Sequence, residues 1–185
     1  MSLTESNMLP IGTIAPKFSL TDTVSGRTLS FEDIKGDKAT VVIFSCNHCP
    51  FVVHINQELV SIAEHYGSQG VGFAAISSND VDNYPADSPD KMNIVATVLK
   101  YPFPYLYDET QAAAKAYDAA CTPDFYVFNK DNKLVYRGRM DASRPGNNIP
   151  VTGADLRSAI DAILFGFDEI QPQIPSAGCN IKWKS

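Results

Sequence analysis

Apolar positions along the chain switch between a period of two and a helical period, and the switches lay out a plan of strands and helices. Over 10–30 the pattern is extended, with Phe18 and Leu20 alternating and a Ser25-Gly26 turn leading into Arg27-Thr28-Leu29. Residues 31–34 suit a short helical turn. The apolar run 39–44 predicts a strand buried on both faces. From 50 to 66 the period lengthens: Ile55, Leu59, Ile62 and Tyr66 recur at helical spacing, with Gly67 as a stop. A second buried strand is predicted over 71–77, and Ser88-Pro89-Asp90 opens a helix that runs to about Leu99. Asp108 with Gln111 has the spacing of a capping box ahead of a helix over 112–117. Strands over 125–128 and 133–139 flank a Lys130-Asp131-Asn132 turn. Thr152 with Asp155 predicts the cap of a last helix carrying Leu156, Ile160 and Ile163 on one face. This order implies an α/β fold, a mixed sheet covered by helices on both sides.

Neither a repeat nor a linker divides the 185 residues, which fits one domain. The expected organisation is a disordered or tag-like 1–8, a domain over 9–165, and an irregular tail over 166–185 packing on it. With 44% hydrophobic residues the chain can bury a core without disulfide staples. The net charge is -6 and no run of Lys or Arg gathers, which argues against nucleic acid as a partner, since neutralising phosphates needs a basic stripe. No apolar run reaches the roughly 20 residues that span a bilayer. The first residues are polar and lack the regions of a secretory signal, so a cytoplasmic protein is expected.

The four cysteines are too few for a disulfide scaffold. Two of them stand two residues apart in Phe44-Ser45-Cys46-Asn47-His48-Cys49-Pro50, where a buried strand hands over to a helix. Unsatisfied N–H groups give a helix N-terminus about half a positive charge, which favours a thiolate, the nucleophilic form of cysteine. Pro50 suits the first helical position and so puts Cys49 at the N-cap, with Cys46 on the approach loop. His48 beside them can add positive charge when protonated. Half of a zinc site has the same C-x-x-C spacing, but His48, His54, His65, Cys121 and Cys179 are too scattered in sequence to complete one. No metal ligand set and no cofactor is expected.

With these residues in place, the chain resembles the thioredoxin superfamily, in its peroxiredoxin-like branch related to alkyl hydroperoxide reductases and TlpA-type redoxins. The resemblance covers about 9–165. Ile14-Ala15-Pro16-Lys17-Phe18-Ser19-Leu20 is similar to the redoxin opening, Cys121-Thr122-Pro123-Asp124-Phe125 to the cis-proline loop, and 129–139 to the closing hairpin. It implies a thioredoxin-like three-layer α/β/α fold with a central mixed sheet, an N-terminal β extension and an irregular C-terminal tail. It also implies a Thr122-Pro123 bond in cis, exposing the backbone of Thr122 to pair with a substrate chain. Two registers remain open. In one, Cys46 is the attacking thiol of a dithiol, with His48 before the second cysteine as in DsbA-type motifs. In the other, Cys49 followed by Pro50 attacks, Cys46 replaces the peroxiredoxin Thr and Val52 falls where a second thiol would stand. Pro50 favours Cys49. In that register Val42 also replaces the motif's Pro, which weakens the expectation of peroxidase activity.

The leading expectation is a thiol–disulfide oxidoreductase working on protein or small-molecule disulfides, reset by an external thiol reductant. A weak thiol peroxidase, with peroxide as substrate, is the alternative. A third reading is a binding module in which Cys46, Cys49 and a histidine hold copper or zinc. Cys179 is either a third, resolving thiol or a packed cysteine, and Cys121 reads as a small buried hydrophobe. Arg137 and Arg139 share a strand face, where Arg139 could stabilise a thiolate, although solvated strand charges are commoner. Trp183 is the expected anchor of the tail, and Tyr101-Pro102-Phe103-Pro104-Tyr105-Leu106-Tyr107 reads as a loop packed over the core or as a binding lip.

Overall fold

The protein is described by a computed structural model over residues 3–185. Its elements are β1 (Leu3–Glu5), β2 (Ser19–Asp22), β3 (Thr28–Ser30), α1 (Phe31–Ile34), β4 (Ala39–Phe44), α2 (Pro50–Gly67), β5 (Val71–Ser77), α3 (Pro89–Val98), β6 (Tyr105–Tyr107), α4 (Ala112–Ala116), β7 (Cys121–Thr122), β8 (Asp124–Asn129), β9 (Leu134–Gly138), α5 (Ala154–Leu164) and β10 (Ala177–Asn180). A short 3-10 turn, Pro85–Asp87, precedes α3.

Seven strands form the main sheet in the order β3-β2-β6-β5-β4-β8-β9. β4, β5 and β6 run parallel; β8 joins β4 antiparallel and β9 closes the hairpin. β4 lies at the centre and every one of its residues is buried, because alternate side chains feed two different cores. Val41 and Ile43 meet Ile55, Leu59 and Ile62 of α2 and Leu156, Ile160 and Ile163 of α5 on one face. Val42 and Phe44 meet Phe31 and Ile34 of α1, Ala113 and Ala114 of α4, and Tyr117 on the other. The result is the expected thioredoxin-like α/β/α layering around a mixed sheet.

A second, three-stranded antiparallel sheet was not foreseen. β1 pairs with β10, and β10 pairs with β7, in the order β1-β10-β7. The expectation of a disordered 1–8 is therefore corrected for Leu3–Glu5, and that of an irregular tail for Ala177–Asn180; Met1 and Ser2 lie outside the described residues. Strands of three and four residues have no periodicity to read, and these exist only because two chain ends meet at a third segment.

Both expected capping boxes are also corrected. Asp108 does serve α4, its carboxylate accepting from Ala113 and Ala114 N–H at 3.2 and 2.9 Å. Gln111 is the N-cap itself, with φ +62°, and its amide donates to the carbonyls of Ser78 and Lys182. At α5 the N-cap is Gly153, whose N–H and that of Thr152 donate to Asp141, while Asp155 turns to Arg139. The capping box that does form is Ser30 with Asp33 at α1. The stretch from Tyr101 packs into the core and supplies strand β6, paired between β2 and β5.

Candidate redox site

β4 carries the chain to the site and ends there. Ser45 N–H still donates to Ile76 O at 2.8 Å, after which the backbone leaves the sheet as a loop over 46–48. Pro50 opens α2 and Cys49 is its N-cap, with extended φ −70° and ψ 122°. The proline has no N–H to leave unsatisfied and its ring presets the helical φ, which fixes Cys49 at the positive end of an 18-residue helix.

The loop is clamped by a residue that sequence reading missed. Asp87, at the end of the 3-10 turn, is fully buried and takes Asn47 N–H at 2.7 Å, His48 N–H at 3.3 Å and Asn79 Nδ2 at 2.8 Å. His48 Nδ1 lies 2.6 Å from Asp87 Oδ2, and its ring stacks on Tyr84 with centroids 5.9 Å apart. Asn47 is held further by Ala86 O and by the hydroxyl of Tyr105. An aspartate inside Pro-Ala-Asp-Ser-Pro looks like any turn residue; only the fold carries it 40 positions back along the chain to the cysteine loop.

Three sulfurs gather at the helix start, with Val52 packed against them: Cys46, Cys49 and Cys179, with 2%, 0% and 4% of their surface exposed. All four cysteines are in the thiol state, with no disulfide among the described residues. The Cys46 hydrogen bond to Cys49 holds the Cys49 thiol well below the usual thiol range; burial opposes this, and bonds from Cys179 and Thr122 reinforce it. The same bond pushes Cys46 far up, with burial and the Asp87 carboxylate adding to it. Burial and the bond to Cys49 push Cys179 up to about 12. As a thiol, Cys49 donates to Thr122 O at 3.3 Å, and Cys46 Sγ lies 3.5 Å from Thr122 Oγ1.

The Thr122–Pro123 bond is cis and closes the site opposite the helix. Its expected exposure is corrected: Thr122 is 2% exposed, and its backbone is matched with Cys179 of β10 rather than left open. Gly178 makes this approach possible, since a Cβ there would lie 2.0 Å from Thr122 O. Ser176 Oγ donates to Pro123 O, and Ser6 Oγ to Asp124 Oδ1 at 2.7 Å, so both chain ends tie down the cis-proline loop. Asp124 is itself fully buried, and burial pushes its carboxyl up to about 7.

Other candidates fall elsewhere. Arg139 pairs with Asp155 at 2.6 Å, and Arg137 is bound by Gln173 Oε1. His54 Nε2 sits 2.7 Å from Ser143 Oγ, and His65 packs edge-on against Tyr66 at the far end of α2. Cys121 is fully buried in β7, where burial raises its thiol. Trp183 is 43% exposed and is not the tail's anchor. Ile181, 1% exposed, fills that role, helped by the Ile181 N–H to Ala120 O and Lys182 N–H to Asn79 Oδ1 hydrogen bonds. Cys46, His48 and Asp87 present possible ligand atoms within 4.8 Å of one another. A cation there would have to part His48 Nδ1 from the Asp87 oxygen it already faces. Among the described residues no helix is long and apolar enough to cross a membrane.

Comparison with known proteins places this site in context. The AhpC/TSA family matches residues 11–137, which include both Cys46 and Cys49. An uncharacterized conserved protein from Geobacillus kaustophilus is 58% identical over 100% of this chain and 97% of its own, with a TM-score of 0.98. A hypothetical protein from Sinorhizobium meliloti 1021 is 44% identical over 98% of this chain and 99% of its own, with a TM-score of 0.95. A thiol:disulfide interchange protein of the thioredoxin family from Chlorobium tepidum TLS shares the fold, at 17% identity over 84% of this chain and 99% of its own and a TM-score of 0.64. No curated protein matches the chain.

Proposed function

The chain belongs to the AhpC/TSA family, and from that premise we propose that it is a thiol–disulfide oxidoreductase in which Cys49 attacks and Cys46 resolves. The observation that carries this reading is the position of Cys49 at the N-cap of α2 with Cys46 as its hydrogen-bond donor, an arrangement that lowers the Cys49 thiol. The Cys49 thiolate attacks one sulfur of a substrate disulfide, forming a mixed disulfide and expelling the other sulfur as a thiolate. Cys46 then gives up its proton and attacks Cys49, releasing the second substrate thiolate and leaving a Cys46–Cys49 bridge. An external thiol reductant restores the dithiol.

The division of labour follows from charge. The hydrogen bond to Cys49, burial and then the Asp87 carboxylate all disfavour a thiolate on Cys46, so the negative charge resides on Cys49 until a mixed disulfide removes it there. Thr122, against both sulfurs, and Pro123 beside it are the surface on which a substrate would lie once β10 makes way. Reduction of insulin disulfides by a thiol reductant tests the reading. Wild type should accelerate it, Cys49→Ser should abolish the acceleration, and Cys46→Ser should run slower than wild type for want of its resolving thiol. Equal rates for all three and no protein at all would overturn it.

Membership of the AhpC/TSA family supports one second reading, a peroxidase. There Cys49 takes an oxygen from a hydroperoxide, releases the alcohol and becomes a sulfenic acid, which condenses with Cys46 as water leaves. Hydroperoxide consumption without disulfide reduction would select it.

A further inference from the structure

The mechanism above uses two sulfurs, and the site holds three. Cys179 hydrogen-bonds the same Cys49 sulfur that Cys46 does, from the opposite chain end, and all three side chains share one buried cluster with Val52. Cys179 also sits on the strand whose partner is Thr122, the residue against which Cys49 and Cys46 pack. One sulfur therefore has two bridging partners, one in the cysteine loop and one in the strap that covers it.

We propose that Cys179 is a third redox-active thiol: it attacks Cys49 of the Cys46–Cys49 disulfide, and the resulting Cys49–Cys179 bridge ties β10 across the substrate edge at Thr122. The exchange is balanced within the chain. Cys179 loses its proton, its sulfur bonds to that of Cys49, the Cys46–Cys49 bond breaks, and Cys46 leaves as a thiolate that takes up a proton. Nothing is oxidised or reduced overall, so no further reagent is needed. The inference rests on Cys49 being the nucleophile of the proposed oxidoreductase.

The two bridges differ in what they do to access. A Cys46–Cys49 bridge lies within the cysteine loop and helix start and leaves β10 held only by its backbone pairing and anchors. A Cys49–Cys179 bridge fastens the strap covalently, withholding the site from a further substrate until a reductant small enough to reach the bridge opens it. Position 178 separates the chemistry from the docking, because a side chain there must push β10 away from Thr122 O while leaving every sulfur in place in sequence.

The test is disulfide mapping by non-reducing peptide mass spectrometry after treating the protein with the thiol oxidant diamide. Wild type should yield both the 46–49 and the 49–179 bridge, and Cys46→Ser the 49–179 bridge alone. Gly178→Val should keep the first bridge and lose most of the second. A wild-type protein carrying only the 46–49 bridge overturns the inference and leaves the oxidoreductase reading standing. A 49–179 bridge found only in Cys46→Ser shows nearness without exchange and also overturns it. Wild type with neither bridge overturns both readings.

Discussion

At the scale of single residues, the site is governed by charges that have been taken out of water. Asp87 is the main example. Its carboxylate collects two backbone N–H groups and an asparagine amide and faces His48, and it disfavours charge on Cys46. Asp87→Asn keeps the shape and removes the charge. We expect it to cost about 1–3 kcal/mol in denaturant unfolding, the usual loss when hydrogen bonds to a buried charged group are weakened. Cys46 alkylation should set in at lower pH than in wild type, read by mass across a pH series. Unchanged stability together with an unchanged Cys46 profile would contradict the role given to Asp87.

Asp124 makes the second residue-scale prediction. Its folded carboxyl is raised to about 7 from an ordinary 3.8, so the folded state holds the proton more tightly than the unfolded chain. The associated stability is fully present below the unfolded value and is lost as pH rises through the folded one. The window thus runs from about 3.8 to about 7, with a loss on the order of 4 kcal/mol across it. Asp124→Asn should flatten the fall in thermal midpoint over that window and gain on wild type above it. A wild-type midpoint independent of pH there would refute the buried, protonated acid.

At the scale of elements, two pieces of secondary structure meet at the sulfurs and were legible to different degrees. The start of α2 could be read from Pro50 and from the apolar spacing behind it, because both are local: a fixed φ and a 3.6-residue period. β10 could not, since Ala-Gly-Cys-Asn has no strand character of its own and is held by Thr122 on one side and Leu3–Glu5 on the other. Its hold on the domain runs through Ile181, buried with Leu9, Phe18 and Tyr117. Ile181→Ala should cost about 2–5 kcal/mol if the cavity stays open. It should also speed alkylation of Cys49 and Cys179 in the native state, because a looser strap opens more often. Unaltered alkylation rates would mean that β10 does not gate the sulfurs.

At the scale of the whole molecule, the sheet has two hydrophobic faces, and β4 supplies both. That arrangement explains why a chain of ordinary composition can hold buried acids such as Asp87 and Asp124: the cores on either side of β4 supply the stability those groups cost. Phe125 belongs to one of these cores, being fully buried in β8 opposite Ile43 and packed with residues of α2 and α5. Phe125→Ala should lose about 3–5 kcal/mol and lower the thermal midpoint accordingly. Because Phe125 is two residues from Pro123, the same variant should also slow disulfide reduction. A loss below about 1 kcal/mol would mean that the core beneath the loop collapses to fill the gap.

Sequence alone determined whatever rests on neighbours along the chain. The strands over 39–44 and 71–77, the helix from Pro50 and the cysteine pair at its start follow from apolar period, proline geometry and the charge at a helix end. The caps at Gln111 and Gly153 did not follow, because Asp108 reaches past its own box and Asp141 serves Gly153 from 12 residues away. Tertiary structure alone decided what surrounds the cysteines. It brought Asp87 from a 3-10 turn and Cys179 from the tail, and matched Thr122 with the chain's own last strand. The physical reason is the same in each case. A residue's local pattern records the secondary structure it can adopt, whereas a buried charge, a sulfur contact or a short strand records a partner, and here those partners lie tens of residues away.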